Sequence, residues 1–404
     1  MLNSGRAPSR EAELLLCCAT SLATPARTAR MHAIIDEGVD WHLVAHMAQV
    51  QAVVPLVYRY LTAELEGVPL AAATDSLRPA FYGNSIRSLH FARELIRLTA
   101  LLERGGVEPL ALKGPALAVA AYGAVAQRQF SDLDLLLRES EVRHTVEILQ
   151  KEGYALRAGY GVADLGLWGA YEIALARPGS LVEVDLHWRL VPAYFPLALD
   201  GEDLWRRAVK VEIEGAAVRT LAPGDDLLYL CAHGAKHGWQ TLGGICDLAE
   251  LMRVSSIDWD ELWAGAERAG ARRMLALGVL LAHELLEAAV PASVLAAVRR
   301  EPAAVHAART FIGYVTNPTD SGPGFYQRWS IPLRVIAEPG ARLRYLAARA
   351  LLPSADDRRF LRLPVVLYPL YYLLRPVRAA LKEAPAALRR LARSAPSRAD
   401  QSPR

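Results

Sequence analysis

The sequence predicts a helix-rich α+β protein in which a small mixed β-sheet is flanked by helical regions. Two observations lead to this fold class. Along most of the 404 residues, apolar side chains recur three and four positions apart, which is the period of an amphipathic helix. Between residues 106 and 221 the period changes, and short apolar runs and strict alternation indicate strands.

The composition is that of an ordinary globular protein, with 52% hydrophobic and 22% charged residues. A formal net charge of +3 over this length gives no general reason to expect nucleic-acid binding. Four scattered cysteines do not form the pattern of a disulfide framework. Without a secretory signal or an apolar run of about 20 residues, we expect a cytoplasmic protein with no transmembrane segment. The apolar stretch 363–374 is interpreted as a buried or partner-covered helix rather than a membrane-surface segment.

We expect four segments along the chain. They are a helical N-terminal region at 1–105, an α/β core at 106–221, a helical C-terminal region at 222–393 and a disordered tail at 394–404.

The N-terminal region shows three helix boundaries. Asp40 precedes an apolar-periodic segment and is a candidate N-cap. Pro55 should kink or break that segment, because proline lacks the N–H that an interior helical position needs. A second helix is predicted over 85–103, and the Gly105-Gly106 pair should end it.

In the core, the predicted elements follow one another at short intervals. They are a strand in 107–114, a helix over 115–122, a strand over 131–137, a helix over 139–152, a hairpin of 171–176 with 181–188, and a hairpin over 209–221. Helices then return at 225–237, 244–254, 260–269, 272–288, 293–298 and 303–315, with more helix to about residue 391.

Two of these strands carry carboxylates that the alternation places on one face. Asp132 and Asp134 lie two apart on the first strand, and Asp185 lies on the second. Oxygen ligands of this kind favour Mg²⁺, and a third carboxylate from the adjacent strand completes a site for two ions. Such a site aligns an attacking and a leaving oxygen about a phosphorus atom. Glu183 is interpreted either as a bystander or as a residue that supports the metal ligands without binding the ion itself.

A glycine turn before the short helix suggests a phosphate site. Gly114 lets backbone N–H groups approach a triphosphate, and a helix N-terminus favours negative charge. Lys113 and Arg128 are candidates to neutralise phosphate oxygens. Arg128 is equally a candidate for a structural ion pair.

Histidines add further polar candidates. His187 either orients Asp185, contacts substrate, or is satisfied by a backbone carbonyl. His233 and His237 lie four apart on one helix face, so Lys236 and His237 are candidate contacts to nucleotide or acceptor. The alternatives are two packing histidines or a zinc site. The glutamate of the H-E-x-x-H motif is absent.

Taken together, the motifs LKGPAL, QRQFSDLDLL, VDLHWRL and HGAKHGW…CDLAEL resemble nucleotidyltransferase family 5, a bacterial group in the DNA polymerase β-like superfamily. The resemblance runs from about Trp41 to at least Leu251. It implies Asp132 and Asp134 as the metal-binding pair and Asp185 as third ligand and base. The superfamily has Gly-Ser or Gly-Gly where this chain has Lys-Gly, so the phosphate contact is expected to fall to Lys113.

The expected activity is a Mg²⁺-dependent transfer of a nucleoside monophosphate from an NTP, ATP first, with two ions and release of pyrophosphate. The acceptor is expected to be a small molecule or a peptide, and nucleic acid is disfavoured. Two alternatives stay open, a catalytically inactive nucleotide-binding or scaffold protein and a kinase-like phosphotransferase. The oligomeric state is undetermined.

Overall fold

The computed structural model describes residues 8–64, 71–157, 171–199, 201–316, 325–353, 355–361 and 363–378. The described part of the chain is 65% helical and contains a seven-stranded mixed sheet, which confirms the helix-rich α+β class. The predicted tail at 394–404 lies outside the described residues.

The described part of the chain contains the α-helices α1 to α17, and residues 371–378 are α-helical as well. The first five precede the sheet and are α1 Arg10–Cys18, α2 Pro25–Asp36, α3 Trp41–Val50, α4 Val54–Glu64 and α5 Ala71–Arg104. Three lie among the strands, namely α6 Gly114–Tyr122, α7 Val142–Lys151 and α8 Glu202–Arg207. The others follow the sheet and are α9 Pro223–His237, α10 Leu242–Val254, α11 Trp259–Arg268, α12 Arg272–Leu286, α13 Ala292–Arg299, α14 Pro302–Thr316, α15 Phe325–Val335, α16 Pro339–Leu351 and α17 Ala355–Phe360.

The seven strands form one sheet in the order β3-β4-β5-β2-β1-β7-β6. Their bounds are β1 Leu110–Leu112, β2 Leu133–Leu136, β3 Ala155–Leu156, β4 Glu172–Ala176, β5 Glu183–His187, β6 Val209–Ile213 and β7 Ala216–Thr220. The pairs β2–β5 and β1–β7 are parallel and the others are antiparallel. Both predicted hairpins are confirmed, and the two-residue β3 and the short α8 are elements that the sequence patterns did not indicate.

In the N-terminal region, the Asp40 carboxylate accepts hydrogen bonds from the N–H groups of His42 and Leu43, which confirms it as N-cap of α3. The predicted break also occurs, because α3 ends at Val50 and Pro55 lies in the first turn of α4. The predicted start of the next helix near residue 85 is wrong. Helix α5 begins fourteen residues earlier and includes Pro79.

A tertiary contact accounts for that difference. Phe81 stacks on Tyr58 of α4, with 4.5 Å between ring centroids. Packing of this aromatic pair stabilises the helical conformation across Pro79, which local propensity alone disfavours.

The stretch 363–374 is helical from residue 365 onward, with a 3₁₀ segment that continues into an α-helix at residue 371, but most of its described side chains are not buried. Val365–Leu370 forms a 3₁₀ segment that contains Pro369, and Val366 and Leu373 are 88% and 72% exposed. Coverage by a partner stays a prediction. Among the residues that the structure describes, no helix combines the length and apolar character needed to cross a bilayer.

The sheet presents two chemically different faces. Leu133 and Leu135 of β2, with Val184 and Leu186 of β5, are buried in a cluster built with α5 and α7. The intervening residues therefore point to the opposite face, where helices from both ends of the chain share a second apolar cluster. This second cluster brings α9 and α10 over the polar face of the sheet.

The beginning of α10 is held against the turn between α3 and α4. The Gln51 side chain accepts a hydrogen bond from the N–H of Leu242 at 2.8 Å, and its backbone carbonyl accepts one from Gly243 at 2.9 Å. A Cβ atom at Gly243 would lie 2.8 Å from the Ala52 carbonyl oxygen. Only glycine permits this approach, so Gly243 near the start of α10 is required by the contact with the turn between α3 and α4.

Gly234 in α9 allows the Trp239 ring to pack directly on the helix. An added Cβ would lie 2.5 to 2.6 Å from ring atoms. We therefore expect Gly234→Ala to lower the free energy of unfolding by about 1–3 kcal/mol, because a rigid buried ring must move. The measurement is urea unfolding followed by circular dichroism.

The matched control is Gly224→Ala in the first turn of the same helix, where nothing lies within 4 Å of the added atom. Because alanine favours helix over glycine, this variant should be as stable as the parent or up to about 1 kcal/mol more stable. Equal stabilities for the two variants would contradict the packing argument.

Candidate functional site

Strand register brings two of the predicted carboxylates together. In the parallel pairing of β2 with β5, Asp134 is the direct partner of Asp185. Both alternate with the buried leucines and valines of the opposite face, so both side chains emerge on the polar face. On the other side of β2, Leu112 pairs with Asp134, and Lys113 follows immediately.

His187 is held between two carboxylates. Its Nε2 donates to Asp134 Oδ1 at 2.8 Å, because an ionised carboxylate can only accept. Its Nδ1 lies 3.5 Å from an oxygen of Glu172, the direct cross-strand partner of His187 on β4. Of the three predicted roles, this geometry supports an orienting one, but the carboxylate oriented is Asp134 and not Asp185.

Lys113 contacts the same carboxylate. Its Nζ lies 3.1 Å from Asp134 Oδ2 and 5.8 Å from the centroid of the Tyr229 ring. Burial works to lower the pKa of Lys113, but Asp134 outweighs burial and raises it above the ordinary value. Burial likewise works to raise the pKa of Asp134, whereas Lys113 and His187 hold it below its usual range. Both groups are therefore charged.

The other two aspartates have less compensation. Burial and the charge of Asp134 raise the pKa of Asp185 to about 7, and Asp185 Oδ1 is buried with no hydrogen-bond partner. Burial and Asp134 also raise the pKa of Asp132. Carboxylates that are this poorly compensated in a buried site favour a bound cation.

The residues present fit a divalent cation. Ligand atoms of Asp134, Asp185 and His187 all lie within 4.8 Å of one another. Asp185 Oδ1 is buried and has no hydrogen-bond partner, so this oxygen is available as a metal ligand. Asp132 is not a member of this close group, although it borders the same space.

All nine residues predicted as site residues line one cavity of about 470 Å³. They are Lys113, Gly114, Arg128, Asp132, Asp134, Asp185, His187, Lys236 and His237. The N-terminal end of α6 at Gly114 also borders it, so helix geometry and basic side chains are both available to an anionic ligand.

Helix α9 supplies one wall of the cavity. Lys236 Nζ donates to the Tyr171 hydroxyl at 2.8 Å and lies 4.8 Å from the centroid of the same ring. Burial lowers the pKa of Lys236 to about 8, against an opposing effect of Glu172.

The rings of His233 and His237 pack 4.5 Å apart between centroids. Burial lowers the pKa of both well below the ordinary value, so both are neutral. Among the described residues, neither belongs to a group of ligands placed to hold a metal. This packing favours the interpretation as paired histidines over the zinc alternative.

Arg128 forms a structural ion pair, which was one of its two predicted roles. Its Nε and Nη2 each donate to the Asp247 carboxylate at 2.9 Å, and the Tyr122 hydroxyl donates to the same group at 2.8 Å. Its Nη1 is buried without a partner. A phosphate contact by Arg128 stays a prediction.

Tyr171 and Glu172 are polar cavity residues that contact predicted site residues and that the sequence analysis did not single out. A signal for Glu172 was present, because the Arg-Pro-Gly-Ser turn sets the register of the β4–β5 hairpin and that register pairs Glu172 with His187. No local pattern indicates that Lys236 would meet Tyr171, because the two residues are 65 positions apart.

The buried pair of Arg128 and Asp247 generates a stability prediction. Arg128→Met leaves the Asp247 carboxylate buried without its cation and should lower the free energy of unfolding by about 3–5 kcal/mol. The measurement is denaturant unfolding of this variant, of Asp247→Leu and of the double variant. We expect the double variant to lose less than the sum of the two single losses, and simple additivity would contradict a direct interaction.

Comparison with known proteins identifies the family. The chain matches the family described as uncharacterised nucleotidyltransferase over residues 37–287, which is more than half of its length, and it therefore belongs to that family. The match confirms the resemblance carried by the sequence motifs. All nine predicted site residues lie within the matched range. No curated protein matches the chain. Transfer of a nucleotidyl group is the general reaction of this family.

Proposed function

We propose that this family member transfers a nucleoside monophosphate from an NTP to an acceptor hydroxyl or phosphate in a Mg²⁺-dependent reaction that releases pyrophosphate. The observation that carries the proposal is the in-register pairing of Asp134 with Asp185 in a cavity that also contains Lys236. ATP is the nucleotide to test first, and a small molecule or a peptide is the expected acceptor.

Asp134 and Asp185 are the residues that would hold the divalent ion, with Asp132 bordering the same space. Hard carboxylate oxygens suit Mg²⁺, which retains waters and phosphate oxygens in its coordination shell. When bound, the ion supplies charge stabilisation at the phosphate and alignment of the attacking and leaving oxygens. His187 keeps Asp134 in one orientation through its hydrogen bond.

In the reaction, an oxygen of the acceptor attacks the α-phosphorus, the bond from that phosphorus to the bridging oxygen breaks, and pyrophosphate leaves. Asp185 is the candidate base that takes the proton of an acceptor hydroxyl. A carboxylate has two oxygens, so one can hold the ion while the other accepts the proton, and Asp185 Oδ1 has no hydrogen-bond partner within the protein.

Lys236 is the candidate contact for the triphosphate. Its buried ammonium donates to a neutral hydroxyl, and among the described residues no carboxylate lies within ion-pair distance of it. A buried cation of this kind is compensated when an anionic ligand binds. The N-terminal turn of α6 at Gly114 adds backbone N–H groups that face negative charge.

The first test follows cleavage of ATP labelled at the α-phosphate, with water or pools of small molecules and peptides as acceptor. The expected products are pyrophosphate and labelled AMP or an AMP-modified acceptor. Asp134→Asn and Asp185→Asn should each lower kcat/KM by about 10²–10³-fold, because each removes part of the charge that stabilises the transition state. Removal of divalent ions with EDTA should abolish turnover, and Mg²⁺ should restore it.

Glu183→Gln is the matched control for this experiment. Glu183 lies on the same strand, two residues from Asp185, but its carboxylate pairs with Arg157 at 2.6 Å. We expect unchanged activity. Release of ADP would instead assign a kinase-like phosphotransfer, and nucleotide binding without turnover that survives Asp134→Asn would assign a scaffold.

A second prediction concerns the pH dependence of nucleotide binding. Because the pKa of Lys236 is lowered to about 8, the side chain is charged below that pH and loses its charge above it. The KM for ATP should therefore rise as the pH increases through 8. Lys236→Met should raise KM about 10- to 100-fold at lower pH, as loss of a charged hydrogen bond typically does.

Lys236→Arg provides the control, since arginine keeps its charge over the whole range. In this variant the rise in KM above pH 8 should disappear. The same rise in Lys236→Arg as in the parent would assign the titration to a different group.

A further inference from the structure

The position of Lys113 poses a question about the number of metal ions. The sequence predicted a site for two ions. In the structure, the Lys113 ammonium lies 3.1 Å from one oxygen of Asp134, and the Lys113 side chain is only 14% exposed. The other oxygen of Asp134 is occupied by His187. Asp132 borders the same cavity as Lys113, and the ion pair of Lys113 is with Asp134.

The backbone explains why the ammonium reaches this position. Lys113 follows β1 directly, and β1 pairs with β2 so that Leu112 lies opposite Asp134. Lys113 has φ +46°, a conformation that residues with a side chain rarely adopt, and Gly114 follows with φ +43°. A turn of this kind persists only where surrounding contacts hold it, and the ion pair with Asp134 is such a contact.

Charge balance supports a single divalent ion. With a cation bound, the ionised forms of Asp132, Asp134 and Asp185 would supply three negative charges on this face of the sheet, and the charges of Glu172 and Lys236 in the same cavity offset each other. One ammonium and one divalent cation balance the three aspartates, whereas a second divalent cation would leave an excess of positive charge in a buried site. Arg128 does not alter this balance, because Asp247 neutralises it.

The ligand geometry agrees with the charge balance. The described residues within ligand distance of one another are Asp134, Asp185 and His187, and Asp132 is outside that group. One compact group of ligands corresponds to one ion.

We propose that the Lys113 ammonium takes the place of a second divalent ion, so that the site binds one ion, held by Asp134 and Asp185. This inference rests on the metal dependence proposed above. It assigns Lys113 a role that neither the serine nor the second glycine of the related motif can fill, since both lack a charge.

The experiment is titration of the full-length protein with Mn²⁺ alone, followed by electron paramagnetic resonance. The wild-type protein should bind one Mn²⁺ per chain with the spectrum of an isolated ion. Lys113→Met should bind two, with a spectrum broadened by spin coupling, because paired ions in such sites lie about 3.5–4 Å apart. Lys113→Gln is a second neutral variant, and circular dichroism verifies the fold of each protein.

Two controls test whether the number of bound ions depends on a positive charge at position 113 or on any positive charge in the cavity. Lys113→Arg keeps the charge and should bind one ion. Lys236→Met removes a different buried lysine of the same cavity and should also bind one ion.

The outcomes are distinct. Two ions in the wild-type protein, or one ion in both folded neutral variants, would overturn this inference and leave the proposed nucleotidyl transfer intact. No bound Mn²⁺ in the wild-type protein would overturn the proposed metal dependence as well.

Discussion

The register of β2 with β5 is the constraint on which the rest of the site depends. It places the buried carboxylate of Asp134 beside the half-buried one of Asp185, an arrangement that is unfavourable unless positive charge or hydrogen-bond donors compensate for it. Lys113 and His187 provide part of that compensation at Asp134. Asp185 has fewer compensating contacts, and burial together with the charge of Asp134 therefore raises its pKa.

The helical mass around the sheet determines what else reaches this charge. Helices from both ends of the chain share one apolar cluster, and this cluster holds α9 over the polar face of the sheet. The contact of Gln51 with the first residues of α10 and the packing of Trp239 on Gly234 keep the cavity wall in place. The positions of the candidate site residues therefore depend on packing contacts between residues that take no part in the proposed chemistry.

The sequence prediction succeeded where local rules apply and failed where distant contacts decide. Alternation correctly separated the polar and apolar faces of β2 and β5, and the turn between β4 and β5 defined a hairpin. The start of α5 was placed too late, because Phe81 packs on Tyr58 across a proline that local propensity treats as a break. The stretch 363–374 was expected to be buried or covered by a partner, and most of its described apolar side chains are exposed in the single chain.

By itself, the sequence determined the fold class, the family and nine of the residues that line the cavity, because strand alternation and short motifs are local properties of the chain. Only the tertiary structure decided the partner of each charged group. Arg128 pairs with Asp247, which is 119 positions away in the sequence. Lys113 lines the cavity, but its ammonium is paired with Asp134. The physical reason is that charges in a buried site pair with whatever the packed elements bring within a few ångströms, and this distance has no counterpart in the order of residues.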